Sequence, residues 1–199
     1  MTSTNPSQNH NLRIFLDPAH TITGLTARSV GDFWQWAYSD VLSNRNRSIF
    51  AEYLVGVALE AVDRPRVDWD SVDLTYQGCK VEVKSAADGR VPEDEETPAK
   101  IQFSIRKSTD MEPAAGGNGD PRTRFADVYV FCHYLERDAE KVDVLDVGAW
   151  DFYVLSTKAL NKKFGDAKSI SLNSLRHLAT AYKFEGLKAR VDGVIARKD

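Results

Sequence analysis

Ser71 to Lys84, SVDLTYQGCKVEVK, constrains the fold of this chain more than any other stretch, because its alternation and its turn together fix a register. Val72, Leu74 and Tyr76 alternate with Asp73, Thr75 and Gln77; Cys79, Val81 and Val83 alternate with Lys80, Glu82 and Lys84. Successive strand residues point to opposite faces, so each arm has one apolar and one polar face. A two-residue loop at Gln77-Gly78 makes a hairpin that pairs Tyr76 with Cys79, Thr75 with Lys80, Leu74 with Val81 and Asp73 with Glu82. Directly opposed side chains share a face about 5 Å apart at Cβ. Two carboxylates placed that way repel, so the pair asks for a cation, and Lys84 stands on the same face two residues beyond Glu82. A metal site with a lysine beside it is expected. Val-Glu-Val-Lys alone is a weak signal, because alternating strands with Glu and Lys on a wet face are common; Asp73 and the preceding helix shift the balance.

That helix is predicted from about Asn46 to Val62. Ile49, Phe50, Tyr53, Leu54, Val57, Ala58 and Ala61 form a broad apolar stripe. Glu52 lies opposite the stripe, yet its neighbours there are Val55, Gly56 and Leu59, and it is the one charged residue between Ser48 and Leu59. A helix apolar nearly all round is buried, and a buried carboxylate needs a partner or a metal. The competing reading is an exposed glutamate on a partly apolar helix. Pro65 ends the helix.

The remaining elements suit an α/β chain around a mixed sheet. Phe33, Trp34, Trp36, Ala37 and Val41 recur at helical spacing and read as core. Ile101, Phe103 and Ile105 alternate as a third strand, Phe125 to Leu135 is a buried strand, and Trp150 to Ser156 is another. Thr157 to Phe164 is a short basic segment. Ser171 is placed to cap a helix reaching Tyr182, and Glu185 to Ala196 is a further helix. Ser85–Ala99 and Lys107–Arg124 read as loops, the second long and mobile. Met1–Asn11 is polar and expected as a disordered tail, leaving Leu12–Asp199 as one domain.

Composition narrows the partners. With 199 residues, 42% of them hydrophobic, the chain is long enough for one sizeable core. Its net charge of −3 gives no global basic character, so a nucleic-acid surface has to be local. Cys79 and Cys132 lie in apolar runs and have no disulfide or metal spacing, and the four histidines are scattered. No signal-peptide core opens the chain and no apolar run approaches a membrane span, so a cytoplasmic protein without a membrane partner is expected.

Asp73 on one strand, Glu82-Val83-Lys84 on the next, and Glu52 in NRSIFAEYLVGVALEAV resemble the PD-(D/E)xK nuclease superfamily. WDSVDL before QGCKVEVKSAA is similar to restriction-enzyme relatives in which a Trp-Asp pair precedes the catalytic strand. The resemblance spans about Arg45 to Arg106 and lacks the proline before Asp73. Asp70 competes for the strand aspartate, but the register puts Asp73 opposite Glu82. The resemblance implies a restriction-endonuclease-like central mixed β-sheet flanked by helices and a Mg2+-dependent DNA endonuclease, with Mn2+ as a substitute. Asp73, Glu82 and Lys84 would be catalytic. Asp73 and Glu82 would hold the metal, with the Val83 carbonyl, and with Glu52 directly or through water. Lys84 would orient or deprotonate water, or stabilise the pentavalent phosphate. Gln102 is the candidate accessory residue. Arg106, Arg122 and Arg124 flank the long loop and are either DNA-phosphate contacts or ordinary solvated arginines. The implied partners are DNA and a second copy of the chain. The alternative is a catalytically silent nuclease-fold module that binds nucleic acid or protein.

Overall fold

A computed structural model describes residues 14–68, 72–87, 100–108, 123–136, 138 and 140–197. The tail predicted at 1–11 lies outside them, as do Asp70, Arg122 and most of both long loops. Two helices open the described chain, α1 (Val30–Tyr38) and α2 (Asn44–Ala58). The hairpin β1 (Leu74–Tyr76) and β2 (Cys79–Ala87) follows. Next come β3 (Gln102–Ser104), β4 (Val128–Tyr134), β5 (Trp150–Ser156), α3 (Thr157–Phe164), β6 (Ser169–Ser171), α4 (Leu172–Leu178) and α5 (Phe184–Ile195). Among the described residues, no helix is long and apolar enough to cross a membrane.

The hairpin forms in the predicted register: Tyr76 opposes Cys79, Thr75 opposes Lys80 and Leu74 opposes Val81. Gln77 and Gly78 both have positive φ, +50° and +75°, as a primed two-residue turn requires. β2 pairs in parallel with β4 on its other side, and β4 pairs antiparallel with β5. The four-stranded sheet, ordered β1-β2-β4-β5, is therefore mixed.

Alternation along β4 splits the core in two. Val128, Val130, Cys132 and Tyr134 pack with α2 and α5, whereas Tyr129 and Phe131 pack with β3, β6, α3 and α4. Both cysteines are buried and neither forms a disulfide. The sheet is thus covered on both faces, and β4, buried along its whole length, reads as the continuous apolar run expected of an interior strand.

Three expectations need correction, and the short basic segment gains a secondary structure. The third strand does not extend the main sheet; β3 pairs with β6 in a separate two-stranded sheet beneath it. Thr157 to Phe164 is a helix, capped by Ser156, whose hydroxyl accepts from the Ala159 N–H. The Ser171-capped helix stops at Leu178. The aromatic cluster of α1 is not core. No residue of α1 is buried, and Trp36 is 85% exposed. A capping box starts this helix: Asp32 N–H donates to Ser29 Oγ, and Ser29 N–H donates to Asp32 Oδ2.

Candidate functional site

β1 stops early, and the carboxylates gather where it stops. Continued one rung past Leu74 and Val81, the register would bring Asp73 opposite Glu82, and a further rung would bring Val72 opposite Val83. Instead β1 ends at Leu74, and the Val83 N–H donates to Asp73 Oδ2 at 2.7 Å. The side chain of Asp73 thereby occupies the edge of β2 that a longer strand would have covered. Glu82 and Lys84 stand on the face shared with Tyr129 and Phe131 of β4, their Cα partners. Lys84 Nζ donates to Glu82 Oε1.

Glu52 reaches the same edge from α2. Its side chain is only 12% exposed, in keeping with its apolar helical neighbours. Arg66, in the segment between α2 and β1, holds it in a two-point clamp: Nε donates to Oε2, and Nη2 donates to Oε1 at 3.0 Å. The third corner of the guanidinium, Nη1, donates to Asp68. A fork of this kind matches a carboxylate geometrically as well as in charge. Nothing in the sequence reading singled out Arg66. Its only local signal is an arginine just past Pro65, in the irregular segment after α2, which ends at Ala58 and not, as the proline suggested, at Val62.

These groups feel one another. Burial pushes all three carboxyls, Glu52, Asp73 and Glu82, above the usual carboxylate range. At Glu82 the Lys84 ammonium opposes the rise, while Asp73 and then Glu52 add to it. At Glu52 the Arg66 hydrogen bonds oppose it and Asp73 adds to it. At Asp73 the Val83 N–H, Lys84 and Arg66 all favour the ionised form, but less than burial disfavours it. Burial, and then Glu82, push the Tyr129 hydroxyl up to about 12. The Glu52 clamp holds the Arg66 guanidinium charged more firmly than usual.

Among the described residues, four carboxylates (Glu52, Asp68, Asp73, Glu82) meet two cations (Arg66, Lys84) at this edge. The donor chemistry suits Mg2+, a hard cation that takes oxygen ligands and keeps several waters. The arrangement as it stands is looser: among the described residues, no three His, Cys, Asp or Glu side chains are grouped to enclose a metal ion. Glu52 and Glu82 are each turned to a basic side chain instead. A cavity of about 650 Å3 opens on the edge, with Glu52, Asp73 and Arg66 in one wall and Ile49, Tyr53 and Leu74 among its apolar lining.

The other predicted residues separate. Arg106 is exposed. Arg124 is withdrawn from any DNA surface, being 5% exposed. Its guanidinium is spent on the fold, donating to the carbonyls of Ile105 (2.8 Å), Gly165 (2.9 Å) and Ala167 (3.1 Å) and to Asn161 Oδ1. Gln102 accepts from Ser169 Oγ at 3.0 Å across the β3–β6 pair, so its side chain serves the small sheet. Ser108 and Thr123 exchange backbone hydrogen bonds of 2.9 Å, at the two ends of the segment predicted as a long loop.

Fold and site together define a mixed α/β domain with a charged cluster at one edge of its central sheet. No protein-family model matches the chain, and no curated protein matches it.

Proposed function

We propose that this protein is a Mg2+-dependent DNA endonuclease of restriction type, hydrolysing phosphodiester bonds from a restriction-endonuclease-like fold. The observation that carries the reading is the placement of Asp73 at the β2 edge beside Glu82-Val83-Lys84, with Glu52 in electrostatic reach of both carboxylates. Asp73 and Glu82 are the residues that would hold the metal. The Val83 carbonyl is available too, because a strand residue's N–H and C=O leave on the same side and its N–H faces Asp73. Glu52 joins them, directly or through water, once Arg66 releases it. A bound Mg2+ (Mn2+ substituting) would neutralise phosphate charge and lower the pKa of the attacking water. Lys84 donates a hydrogen bond at the point of attack, to that water or to a non-bridging phosphate oxygen, and Glu82 fixes where its ammonium sits. Arg106 contributes a phosphate contact from the exposed surface. A second copy of the chain as partner and a cytoplasmic setting belong to the same reading.

One observation favours the silent-module alternative: Glu52 and Glu82 are each neutralised by a basic residue, as they would be in a fold that has no use for a metal. Plasmid and phage DNA incubated with Mg2+ or Mn2+ separates the two. The endonuclease reading expects metal-dependent cutting that EDTA stops and Lys84→Ala abolishes. Metal binding without cutting of DNA or RNA makes the module the better account. The absence of both cutting and any Mn2+-dependent rise in Tm rejects the metal site itself.

A further inference from the structure

A second cavity, of about 420 Å3, shares Ile49 and Arg66 with the first as common walls. Its other walls are Trp34, Tyr38, Arg45 and Asp68. Trp34 and Tyr38 are four residues apart on α1 and so share a face; Arg45 and Ile49 have the same spacing on α2. The cavity therefore lies between two helix faces, with Arg66 common to it and to the cavity that Glu52 and Asp73 line. Its volume falls in the range of small-ligand sites, about 300–1,000 Å3. Two aromatic residues, two arginines and one aspartate line it, the Arg66 guanidinium being held by Glu52 and Asp68. Core packing does not account for the aromatics, since α1 has no buried residue.

Aromatic faces beside guanidiniums suit a nucleotide. The base stacks, and the phosphate finds positive charge. Bases inside a duplex are covered on both faces by their neighbours, so only an unpaired or extruded base can use such walls. We propose that this cavity seats an unpaired nucleotide of a DNA strand, with the base against Trp34 and Tyr38 and a phosphate at Arg45 and Arg66. The substrate class is then single-stranded or locally unpaired DNA, entering the carboxylate cavity past Arg66. The claim about the substrate rests on the endonuclease reading; the seat itself does not. Arg66 gains a second role here as the side chain common to both cavities, able to exchange its hold on Glu52 for a phosphate.

The test measures binding without turnover, using fluorescein-labelled oligothymidylate and a duplex of equal length, with Ca2+ in place of Mg2+. The single strand should bind more tightly and quench tryptophan fluorescence. Trp34→Ala should weaken binding about tenfold, within the range for loss of one base–aromatic stack. Trp34→Phe should retain the stacking and lose the quench. Arg45→Gln should reduce the slope of log affinity against log salt by about 0.7, the contribution of one phosphate contact on a single strand. Trp36→Ala, on the far side of α1, should change neither. Tyr38→Ala, at the exposed rim, gives the same readout should Trp34→Ala misfold. Unchanged affinity in both aromatic variants, or tighter binding of duplex, overturns the seat. Duplex cutting with no oligothymidylate binding also overturns it and leaves the endonuclease reading intact. Oligothymidylate binding that depends on Trp34, with no DNA cut under any metal, upholds the seat and rejects the endonuclease.

Discussion

The two edges of β2 are built on opposite terms. Toward β4 the strand is paired from Val81 to Ala87, and every residue of β4 there is buried. Toward β1 it is paired only from Cys79 to Val81, and beyond that its neighbours are Asp73 and, reaching across from α2, Glu52. One edge gathers apolar surface and closes its backbone hydrogen bonds; the other uses a side-chain carboxylate as the acceptor and gathers like charge. The difference teaches where stability and chemistry reside. Substitutions on the β4 side should cost folding free energy and leave the site's chemistry alone, and those on the Asp73 side should do the reverse.

The largest effect expected breaks the apolar edge. Phe131 is fully buried against Phe103. Phe131→Ala should destabilise by about 3–5 kcal/mol through lost burial and the cavity left behind. In thermal melts that is a fall of about 2–4 °C for each kcal/mol in a domain of this size. A loss under about 1 kcal/mol would mean that the lower core collapses around the gap and the contrast is weaker than drawn.

Removing Arg66 is next. Arg66→Ala leaves Glu52 shielded without its clamp, but Arg66 itself is 36% exposed, so the pair is partly screened. A cost of about 1 kcal/mol in denaturant titration is expected. The Glu52 carboxyl should titrate still higher, measurable by NMR, since the hydrogen bonds that oppose its rise are gone.

The smallest effect has the opposite sign. Asp73→Asn keeps an oxygen to accept from Val83 and removes a charge that burial disfavours. In EDTA it should be as stable as the wild type or more so, by about 0.5 kcal/mol, because opposed like charges destabilise a sheet. The pH dependence follows from the raised carboxyls. In the folded state they bind protons more readily than in the unfolded chain, so their contribution to stability is full below the unfolded value, about 4, and is lost as pH rises through the higher folded value. The advantage of Asp73→Asn over wild type should therefore be greatest at about pH 8 and shrink toward about pH 4. An advantage that grew on acidification would mean that Asp73 is held ionised, and the edge would be a structural ion-pair network. Added Mn2+ should raise the Tm of the wild type and leave that of Asp73→Asn unmoved, since a ligand that binds only the folded state stabilises it by mass action.

The hairpin was legible from sequence because a two-residue turn and a period of two leave one register that buries Val81, Val83 and Tyr76 together, with Leu74 packed against them. The shielding of Glu52 was legible too, from the apolar residues around it on α2. Arg66 was not. It lies in an irregular segment whose return over α2 is set by tertiary packing, with no periodicity to follow. Arg124 looked like a surface arginine beside a loop, whereas its environment is built from three carbonyls of two distant segments, one at Ile105 and one at Gly165–Ala167. The α1 aromatics gave the period of a helix correctly, but period reports which residues share a face and not what that face meets. β3 was likewise recognised as a strand, while its partner β6, three residues long, carries too little pattern to announce a second sheet.

The absence of buried side chains in α1 has a kinetic consequence. A nine-residue helix is shorter than the length at which isolated helices persist in water, about 12–15 residues, and here the capping box is its main local support. Its amides should exchange with solvent deuterium through local opening, far faster than those of β4, whose protection should follow global unfolding. The wall that carries Trp34 and Tyr38 is then a segment that opens and recloses on its own, and an occupant of the cavity should register first as slowed exchange along Val30–Tyr38.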